Sequence, residues 1–275
     1  MRVIVKVGGA QLESREGRQV FARSVAAARQ AGHEVIVVHG GGAQLKELCA
    51  RVGLDEVRHE GLRVTCAETS ELALAVLGGA VNRKLVLALE SETVPAVGLT
   101  GADGQSYAAQ KHTPGGVDLG YVGELVCVDG TLVETLLAAG YVPVLASMAP
   151  LARLAEGDDA HVYNVNADSA AGALATPLGA DALLFLTDVP AVRDGDGTEL
   201  AELDAALTAA LTETGALAGG MLPKVRAAFA ALAEAPEMRI KIAPADGPDA
   251  VLEALDGACG TLFVAEQAQT EPSRG

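Results

Sequence analysis

Short apolar, β-branched runs alternate with helical patterns along almost the whole chain, and this alternation constrains the fold more than any other feature of the sequence. Apolar strands that alternate with helices are typical of parallel βαβ units, in which helices cover both faces of one sheet. The sequence therefore predicts an α/β protein with a mainly parallel central sheet. The predicted strands lie at about residues 2–7, 35–39, 95–99, 142–147, 182–187, 238–243 and 261–264. The predicted helices lie at about residues 16–31, 43–52, 66–90, 131–139, 167–176, 203–214, 223–234 and 247–255.

Residues 101–128 interrupt this alternation, because they are rich in glycine and then alternate between polar and apolar side chains. The pattern predicts a loop and a small β-hairpin layer of the kind that roofs a pocket. Thr65 and Glu68 have the spacing of a capping box, which predicts that the long helix begins just after Thr65. Gly32 and Gly53 predict the ends of two other helices.

Composition excludes several classes of partner. The 275 residues include 20 basic and 36 acidic side chains, so the formal charge is −16. Such a surface repels nucleic acid and anionic lipid, although a small anion can still bind where a few basic groups and backbone N–H donors converge. Four isolated cysteines without a C-x-x-C pair argue against a disulfide framework or a zinc site and favour a reducing cytoplasm. We find no run of about 18 uncharged apolar residues and no secretory signal, and so expect neither a membrane helix nor export.

Three glycines, Gly40 to Gly42, follow the apolar run VIVVH and precede a helical pattern. They do not form a dinucleotide fingerprint, which needs glycine where this chain has Leu45, and they do not form a P-loop, because no G-K-[ST] follows. Successive unobstructed N–H groups at the start of a helix form an anion site. The alternative is a tight strand–helix connection with packing glycines, and the run alone does not decide between the two.

A lysine stands in or at the end of an apolar strand at Lys6, directly before Gly8 and Gly9. A lysine there must reach solvent or meet a negative charge, because burial of an unpaired charge costs several kcal/mol. Ligands of open α/β sheets bind at the carboxyl ends of strands, so two glycine-rich strand ends and a lysine indicate one polyanion site. Lys224 is a second candidate, because the positive dipole end disfavours a cation in the first turn of a helix. An ordinary surface lysine remains the alternative for Lys224.

Polar residues gather at the start of another helix, in NVNADSAAGALA. Asn166 has the character of a helix cap, whereas Asn164 and Asp168 beside it suggest a further role. Arg63 directly precedes the long helix, where it could be a surface arginine or a bidentate clamp for a carboxylate.

Eight segments occur in one order: VKVGGAQL, VIVVHGGGAQL, GLRVTCAETSELALAVLGGAVNRKLV, AVGLTGADG, VDLGYVGE, YNVNADSAAGALA, LFLTDVPAV and GGMLPKV. The segments and their order resemble N-acetylglutamate kinases of the amino acid kinase superfamily over essentially the whole chain. GLRVT, VDLGYVGE and GGMLPKV together are far more specific than a glycine run.

The resemblance implies the three-layer αβα sandwich of the amino acid kinase fold. Residues 1–180 would form an acetylglutamate-binding lobe with the dimer interface, and residues 181–275 an ATP-binding lobe. The implied activity is ATP-dependent phosphorylation of the γ-carboxylate of N-acetyl-L-glutamate to N-acetyl-L-glutamyl 5-phosphate in arginine biosynthesis. Mg²⁺ would arrive on the nucleotide phosphates, with few or no ligands from the protein.

The resemblance also assigns roles to individual residues. The catalytic positions of the family fall on Lys6, Lys224 and Asp168, of which the aspartate holds both lysines. The acetylglutamate-binding positions fall on Gly41, Gly42, Arg63 and Asn164, and Gly8 and Gly9 would complete a phosphate cradle. The nucleotide-binding positions fall on Asp188, Val189, Val192, Arg193, Ala216, Leu217 and Ala218.

Two departures from the family pattern matter. Relatives usually have glycine where this chain has Ala191, which puts the path of the nucleotide loop in doubt. The first strand begins at about residue 2, without the N-terminal helix of arginine-regulated hexameric relatives. We therefore expect a homodimer that arginine does not inhibit.

Two rival hypotheses remain. A sister kinase phosphorylates aminoadipate or glutamate attached to a small acidic carrier protein in lysine biosynthesis. GLRVT and the charge of −16 argue against it, because a surface that docks such a carrier should be basic. A non-catalytic sensor of the amino acid or ATP is disfavoured because Lys6, Lys224 and Asp168 are all present.

Overall fold

A computed structural model describes residues 1–153, 162–257 and 259–265. Its strands are β1 (Arg2–Val7), β2 (Glu34–His39), β3 (Arg58–His59), β4 (Leu62–Arg63), β5 (Ala96–Leu99), β6 (Tyr107–Lys111), β7 (Val122–Val128), β8 (Val142–Ala146), β9 (Met148–Pro150), β10 (Val162–Val165), β11 (Ala182–Thr187), β12 (Glu202–Leu203), β13 (Arg239–Pro244) and β14 (Thr261–Phe263). Its helices are α1 (Ala10–Glu13), α2 (Arg15–Gln30), α3 (Gly42–Arg51), α4 (Ala67–Ala73), α5 (Asn82–Ser91), α6 (Thr131–Ala138), α7 (Ala167–Ala175), α8 (Ala205–Glu213), α9 (Met221–Glu234) and α10 (Ala250–Asp256).

In the described part of the chain, eight strands form the central sheet in the order β12-β14-β13-β11-β1-β2-β8-β5. All neighbouring strands in it are parallel except β13 and β14. Every strand that the alternation predicts is present, within about two residues at each end. The prediction of an α/β protein with a mainly parallel sheet is therefore confirmed.

Side chains of β1 alternate between two cores, one on each face of the sheet. Val3, Val5 and Val7 belong to the core that includes residues of α2 and α10, whereas Ile4 belongs to the core that includes residues of α7 and α9. Because successive side chains of a strand point to opposite faces, Lys6 shares the face of Ile4. This parity places the lysine on the side of the sheet that α7 and α9 cover.

A smaller sheet of four strands, in the order β6-β7-β10-β9, forms a second layer among the described residues. Its antiparallel pair β6–β7 confirms the hairpin predicted within 101–128. The sequence interpretation missed β9 and β10, because strands of three and four residues give almost no periodic signal.

The longest helical segment runs without a break from Ala67 to Ser91, and its middle part, Leu74–Val81, is a π-helix. By length and composition alone this segment is apolar enough to cross a membrane, a property that it shares with the core helices of globular proteins. Within the fold, 44% of its most apolar window is buried.

The predicted capping box at the start of this segment is wrong. Cys66 is the N-cap and makes no side-chain cap bond. The Thr65 hydroxyl donates to the carbonyl of Arg63 at 2.9 Å, and Thr65 lies one residue before the N-cap position. The predicted helix ends at Gly32 and Gly53 are confirmed, and both residues have a positive φ.

Candidate active site

A cavity of about 210 Å³ lies where β1, β2 and β8 reach their carboxyl ends. Ligands of open parallel sheets bind at this edge, because the loops that follow neighbouring strands converge there. The residues that line the cavity are Lys6, Gly8, Gly9, Gly40, Gly41, Gly42, Leu45, Arg58, Gly61, Leu62, Arg63, Leu77, Val122, Ser147, Asn164, Val165, Asn166, Ala167 and Asp168.

Lys6 is buried at the centre of the sheet and paired with a carboxylate. Its Nζ lies 2.8 Å from Oδ1 of Asp168, and the residue is only 7% exposed. Lys6 therefore meets a negative charge rather than reaching solvent, which were the two possibilities that its place in the strand left open.

Asp168 also pairs with a second lysine from a different helix. Its Oδ2 lies 3.2 Å from Nζ of Lys224 on α9, and Asp168 itself is 6% exposed. The pairing depends on the close approach of α7 and α9, since a Cβ on Gly172 would lie 2.9 Å from the carbonyl oxygen of Ala227. Lys6, Asp168 and Lys224, which we call the lysine–aspartate triad, thus come together from three separate elements.

The triad carries two amines for one carboxylate. Burial raises the pKa of Asp168, but the charges of Lys6 and Lys224 outweigh it, so the pKa lies below the usual range. Burial lowers the pKa of Lys6. The negative charge of Asp168 raises this pKa, the positive charge of Lys224 lowers it further, and the net shift is downward. An ionised Asp168 between two amines leaves excess positive charge beside the cavity, which suits a polyanion.

The predicted cap at Asn166 is confirmed, because its Oδ1 accepts from the backbone N–H groups of Asp168 and Ser169 at 2.9 and 3.1 Å. Asn166 lines the cavity as well. The cap fixes the first turn of α7 and with it the backbone from which the Asp168 side chain projects.

Both glycine-rich strand ends line the cavity. Gly42 is the first residue of α3, so the amino end of that helix faces the cavity. A Cβ on Gly41 would lie 2.5 Å from Cδ2 of Leu77 and 3.1 Å from Cγ2 of Val81, both in the π-helical segment. Packing therefore requires a glycine at position 41, and both readings of the run, anion site and packing, are compatible with this structure.

Arg63 lines the cavity and is 8% exposed. One of its nitrogens, Nη2, lies 2.8 Å from Oε1 of Glu56 and donates to the carbonyl of Gly42 at 3.1 Å. It is therefore an ordered, partly desolvated guanidinium rather than a free surface arginine. Asn164 on β10 lies at the same cavity, where its Nδ2 is 3.4 Å from the hydroxyl of Thr65.

Two polar residues of the cavity were not found from the sequence. Ser147 directly follows β8, so the same rule of carboxyl strand ends would have found it. Arg58 belongs to the hairpin β3–β4, whose two-residue strands give no periodic signal. Its guanidinium pairs with Glu56 at 2.6 Å, beside Arg63.

The seven predicted nucleotide-binding residues lie outside this cavity, after β11 and between α8 and α9. Val192 and Leu217 are buried in the core, and the Val192 N–H donates to the hydroxyl of Thr261. Asp188, Arg193 and the alanines Ala216 and Ala218 are exposed, and Val189 is partly exposed. Nucleotide binding at these positions stays a prediction.

Ala191 has an ordinary backbone conformation in this loop. It is buried and does not adopt a positive φ, so its backbone conformation is one that any residue can take. The absence of the family's usual glycine is thus compatible with the loop as it stands.

A histidine directly before the glycine run is fully buried. Burial lowers the pKa of His39 to about 4, and the charges of Arg83 and Lys6 add to this, whereas a hydrogen bond with the Gly40 carbonyl opposes it. The imidazole is therefore neutral at pH 7.

This histidine should make the fold sensitive to acid. Between pH 6.5 and 4 the unfolded chain binds a proton at His39 that the folded chain does not, so stability falls as the pH falls. We expect the wild type to lose about 2 kcal/mol more than His39→Asn between pH 7 and pH 4.5, since one pKa unit corresponds to about 1.4 kcal/mol. Urea unfolding of both proteins at several pH values measures this. Parallel stability curves would contradict a neutral, buried His39.

Comparison with known proteins gives the same family as the sequence resemblance. The model of the amino acid kinase family matches residues 1–242. Acetylglutamate kinase from Koribacter versatilis is 41% identical over 267 residues, which cover 96% of this chain and 99% of the relative. Acetylglutamate kinase from Acidobacterium capsulatum is 44% identical over 248 residues, which cover 90% of this chain and 92% of the relative.

Solved structures share the fold. The protein smu.665 from Streptococcus mutans UA159 has a TM-score of 0.80 and 26% identity, covering 96% of this chain and 98% of that one. N-acetylglutamate synthase from Neisseria gonorrhoeae, complexed with coenzyme A and N-acetyl-glutamate, has a TM-score of 0.81 at 23% identity, covering 97% of this chain and 60% of that one. The second likeness shows the fold alone. The family match over residues 1–242 and the identity to full-length relatives lead to one conclusion: this chain belongs to the amino acid kinase family.

Proposed function

We propose that this protein is an acetylglutamate kinase, which uses ATP to phosphorylate the γ-carboxylate of N-acetyl-L-glutamate in arginine biosynthesis. Its relatives at 39–44% identity over most of the chain carry that name. The observation that carries the proposal is the buried lysine–aspartate triad, which lies at a cavity that Arg63 also lines.

The triad has the charge that this chemistry needs. A carboxylate oxygen attacks the γ-phosphorus of ATP, the bond from that phosphorus to the β–γ bridging oxygen breaks, and ADP leaves. Two anions must meet in line, so catalysis depends on positioning and charge stabilisation. Lys6 and Lys224 supply positive charge to the transferred phosphoryl group, and Asp168 holds both amines in place. Asp168 need not act as a base, because the attacking carboxylate is already ionised at neutral pH.

Residues 1–180 form the lobe that binds acetylglutamate, the acceptor of the phosphoryl group. Arg63 binds the α-carboxylate of acetylglutamate, and Asn164 donates a hydrogen bond to the same molecule. The N–H groups of Gly8, Gly9, Gly41 and Gly42 face the reacting carboxylate and the phosphoryl group in transfer. The support is that all six residues line one cavity.

The nucleotide side is assigned to residues 181–275. ATP binds along the loop from Asp188 to Arg193 and the turn from Ala216 to Ala218, next to the helix that carries Lys224. Mg²⁺ travels with the nucleotide phosphates. Asp168 is a poor metal ligand here, because its two oxygens already face two amines at 2.8 and 3.2 Å.

The proposal also covers the oligomeric state, the partners and the cellular compartment of the protein. The protein is a homodimer that arginine does not inhibit, and its partners are small molecules rather than nucleic acid or membrane. It works in the cytoplasm, which the four unpaired cysteines support because a reducing compartment keeps thiols free.

A coupled ATP assay with free N-acetylglutamate, run with and without arginine, tests this function. We expect saturable turnover that millimolar arginine leaves unchanged and elution of the purified protein as a dimer. Negligible turnover with the free amino acid, together with activity on a carrier-linked substrate, would favour the carrier-dependent kinase. Elution as a hexamer with inhibition by arginine would contradict the proposed assembly.

Arg63→Ala should weaken acetylglutamate binding selectively. Loss of a charge-assisted pair with a carboxylate corresponds to about 1.5–3 kcal/mol, so we expect the KM for acetylglutamate to rise on the order of 10- to 100-fold. The KM for ATP should stay the same, and Arg63→Lys should be intermediate because lysine cannot bind a carboxylate with two parallel bonds. Initial-rate kinetics of the wild type, Arg63→Ala and Arg63→Lys measure both KM values.

The matched control is Arg51→Ala, because Arg51 is an exposed residue of α3 that pairs with Glu47 outside the cavity. It should leave both KM values unchanged. An equal rise in both KM values for Arg63→Ala would argue that the arginine supports the fold rather than the acceptor.

A further inference from the structure

The side chain of His39 connects the glycine run to Asn82, the first residue of α5. Its Nδ1 lies 2.8 Å from the carbonyl oxygen of Gly40, and its Nε2 lies 2.9 Å from Nδ2 of Asn82. A carbonyl oxygen can only accept, so Nδ1 carries the proton and donates. The neutral ring then accepts from Asn82 at Nε2. Both His39 and Asn82 are 0% exposed.

The hydrogen bonds of Asn82 fix which way its amide points. Nδ2 also donates to the carbonyl of Val144 on β8 at 2.9 Å, so both of its hydrogens are used. Oδ1 accepts from Nη2 of Arg83 at 2.6 Å. The backbone of Gly98 packs directly against this amide, since a Cβ on Gly98 would lie 1.7 Å from Oδ1 of Asn82. A fully satisfied buried network of this kind holds one arrangement.

The π-helical segment Leu74–Val81 ends directly before Asn82. Its side chains Leu77 and Val81 pack against the backbone of Gly41, as the Cβ contacts of that glycine show. The continuous helix Ala67–Ser91 therefore supports the glycine run through its π-helical part and presents, at Asn82, the amide that orients His39. Short π-helical turns are frequent at functional sites.

The carbonyl that His39 holds belongs to the peptide bond between Gly40 and Gly41. This peptide is trans, so its carbonyl and the N–H of Gly41 point in opposite directions. A bond from His39 to the Gly40 oxygen therefore directs the Gly41 N–H away from the imidazole, and Gly41 lines the cavity.

We infer that His39 and Asn82 are positioning residues for phosphoryl transfer, which together hold the Gly40–Gly41 peptide so that the Gly41 N–H points at the phosphoryl group in transfer. This inference rests on the proposed function. Neither side chain touches the substrates; both act through the backbone of the glycine run.

Three substitutions at position 39 separate positioning from packing. Asparagine can place an N–H donor near the position of Nδ1, glutamine reaches the position of Nε2 instead, and alanine removes both groups. We expect His39→Ala to lower kcat on the order of 10- to 100-fold, less than loss of the donor itself would cost. The KM for acetylglutamate should change less than about threefold. His39→Asn should recover most of kcat, and His39→Gln should not.

Ser24→Ala is the matched control, because Ser24 is equally buried and donates to Phe21 within α2, away from the cavity. Each variant is compared per folded molecule, with the folded fraction measured by circular dichroism. A kcat within twofold of the wild type for folded His39→Ala would overturn the inference. Equal activity of His39→Asn and His39→Gln would overturn it as well.

A second readout does not depend on the reaction. The ¹⁵N order parameter of the Gly41 amide should be near the rigid value of about 0.85 in the wild type and in His39→Asn. In His39→Ala it should fall below about 0.6, the flexible range. If the wild type does not phosphorylate acetylglutamate, the proposed function fails, and this measurement still decides whether His39 orders the loop. An unchanged order parameter in His39→Ala would contradict the positioning role.

Discussion

Lys224→Ala is expected to lower kcat by about 10³-fold while the KM values for ATP and acetylglutamate change little. Lys224 pairs with Asp168 at 3.2 Å and its side chain is 15% exposed, so its amine lies at the mouth of the buried triad. In the proposed reaction it stabilises charge on the phosphoryl group in transfer, which is an interaction of the transition state. Its loss should leave folding almost intact, because Asp168 keeps its pair with Lys6. Steady-state kinetics with both substrates varied measure the effect.

Lys84→Ala provides the control, because Lys84 is an exposed lysine of α5 outside the cavity. It should leave kcat and both KM values at the wild-type level. Small and equal changes in kcat and KM for Lys224→Ala would instead support a sensor that binds its ligands without chemistry.

Asp168→Asn should have an equally large effect on kcat and a second effect on stability. Removal of one partner from a buried ion pair costs about 3–5 kcal/mol, because the remaining charge is left uncompensated. Lys6 is 7% exposed, so we expect a loss in this range, measured by urea unfolding. Burial and the charge of Lys224 both lower the pKa of Lys6, and Asp168 opposes them. The basic limb of the kcat–pH profile should therefore move to lower pH in this variant.

Two further variants show where the lost stability comes from. Asp118→Asn removes an exposed partner of Lys111 and should leave the urea midpoint almost unchanged. The double variant Lys6→Met, Asp168→Asn removes the uncompensated charge and should recover most of the stability without activity. Failure of the double variant to recover stability would contradict the view that Asp168 compensates the charge of Lys6.

The sequence predicted the central sheet well, because its signal is local. Buried parallel strands such as Arg2–Val7 are apolar on both faces, and each is followed by a helical period. Candidate site residues such as Lys6 and Asp168 could be named because charged and amide groups stand out beside apolar strands and Ala-rich helices. Their pairing was expected only from the family resemblance, since the elements that carry them are far apart in the sequence.

The features that the sequence did not predict have little local signal. The strand Val162–Val165 is short and gains its place by pairing with Val122–Val128 and Met148–Pro150. The π-helical turn at Leu74–Val81 has the same composition as an ordinary apolar helix. The expected cap at Thr65 is absent because α4 begins one residue later than the capping box predicts, with Cys66 as its N-cap.

The most direct measurement is detection of the acyl phosphate itself. Protein, ATP, Mg²⁺ and free N-acetylglutamate are incubated with hydroxylamine, which converts an acyl phosphate to a hydroxamate that can be identified by mass. We expect one hydroxamate of acetylglutamate for each ADP formed by the wild type, and about 10³-fold slower formation by Lys224→Ala. ADP formation without hydroxamate, or equal hydroxamate formation by Lys224→Ala, would contradict carboxylate phosphorylation at the lysine–aspartate triad.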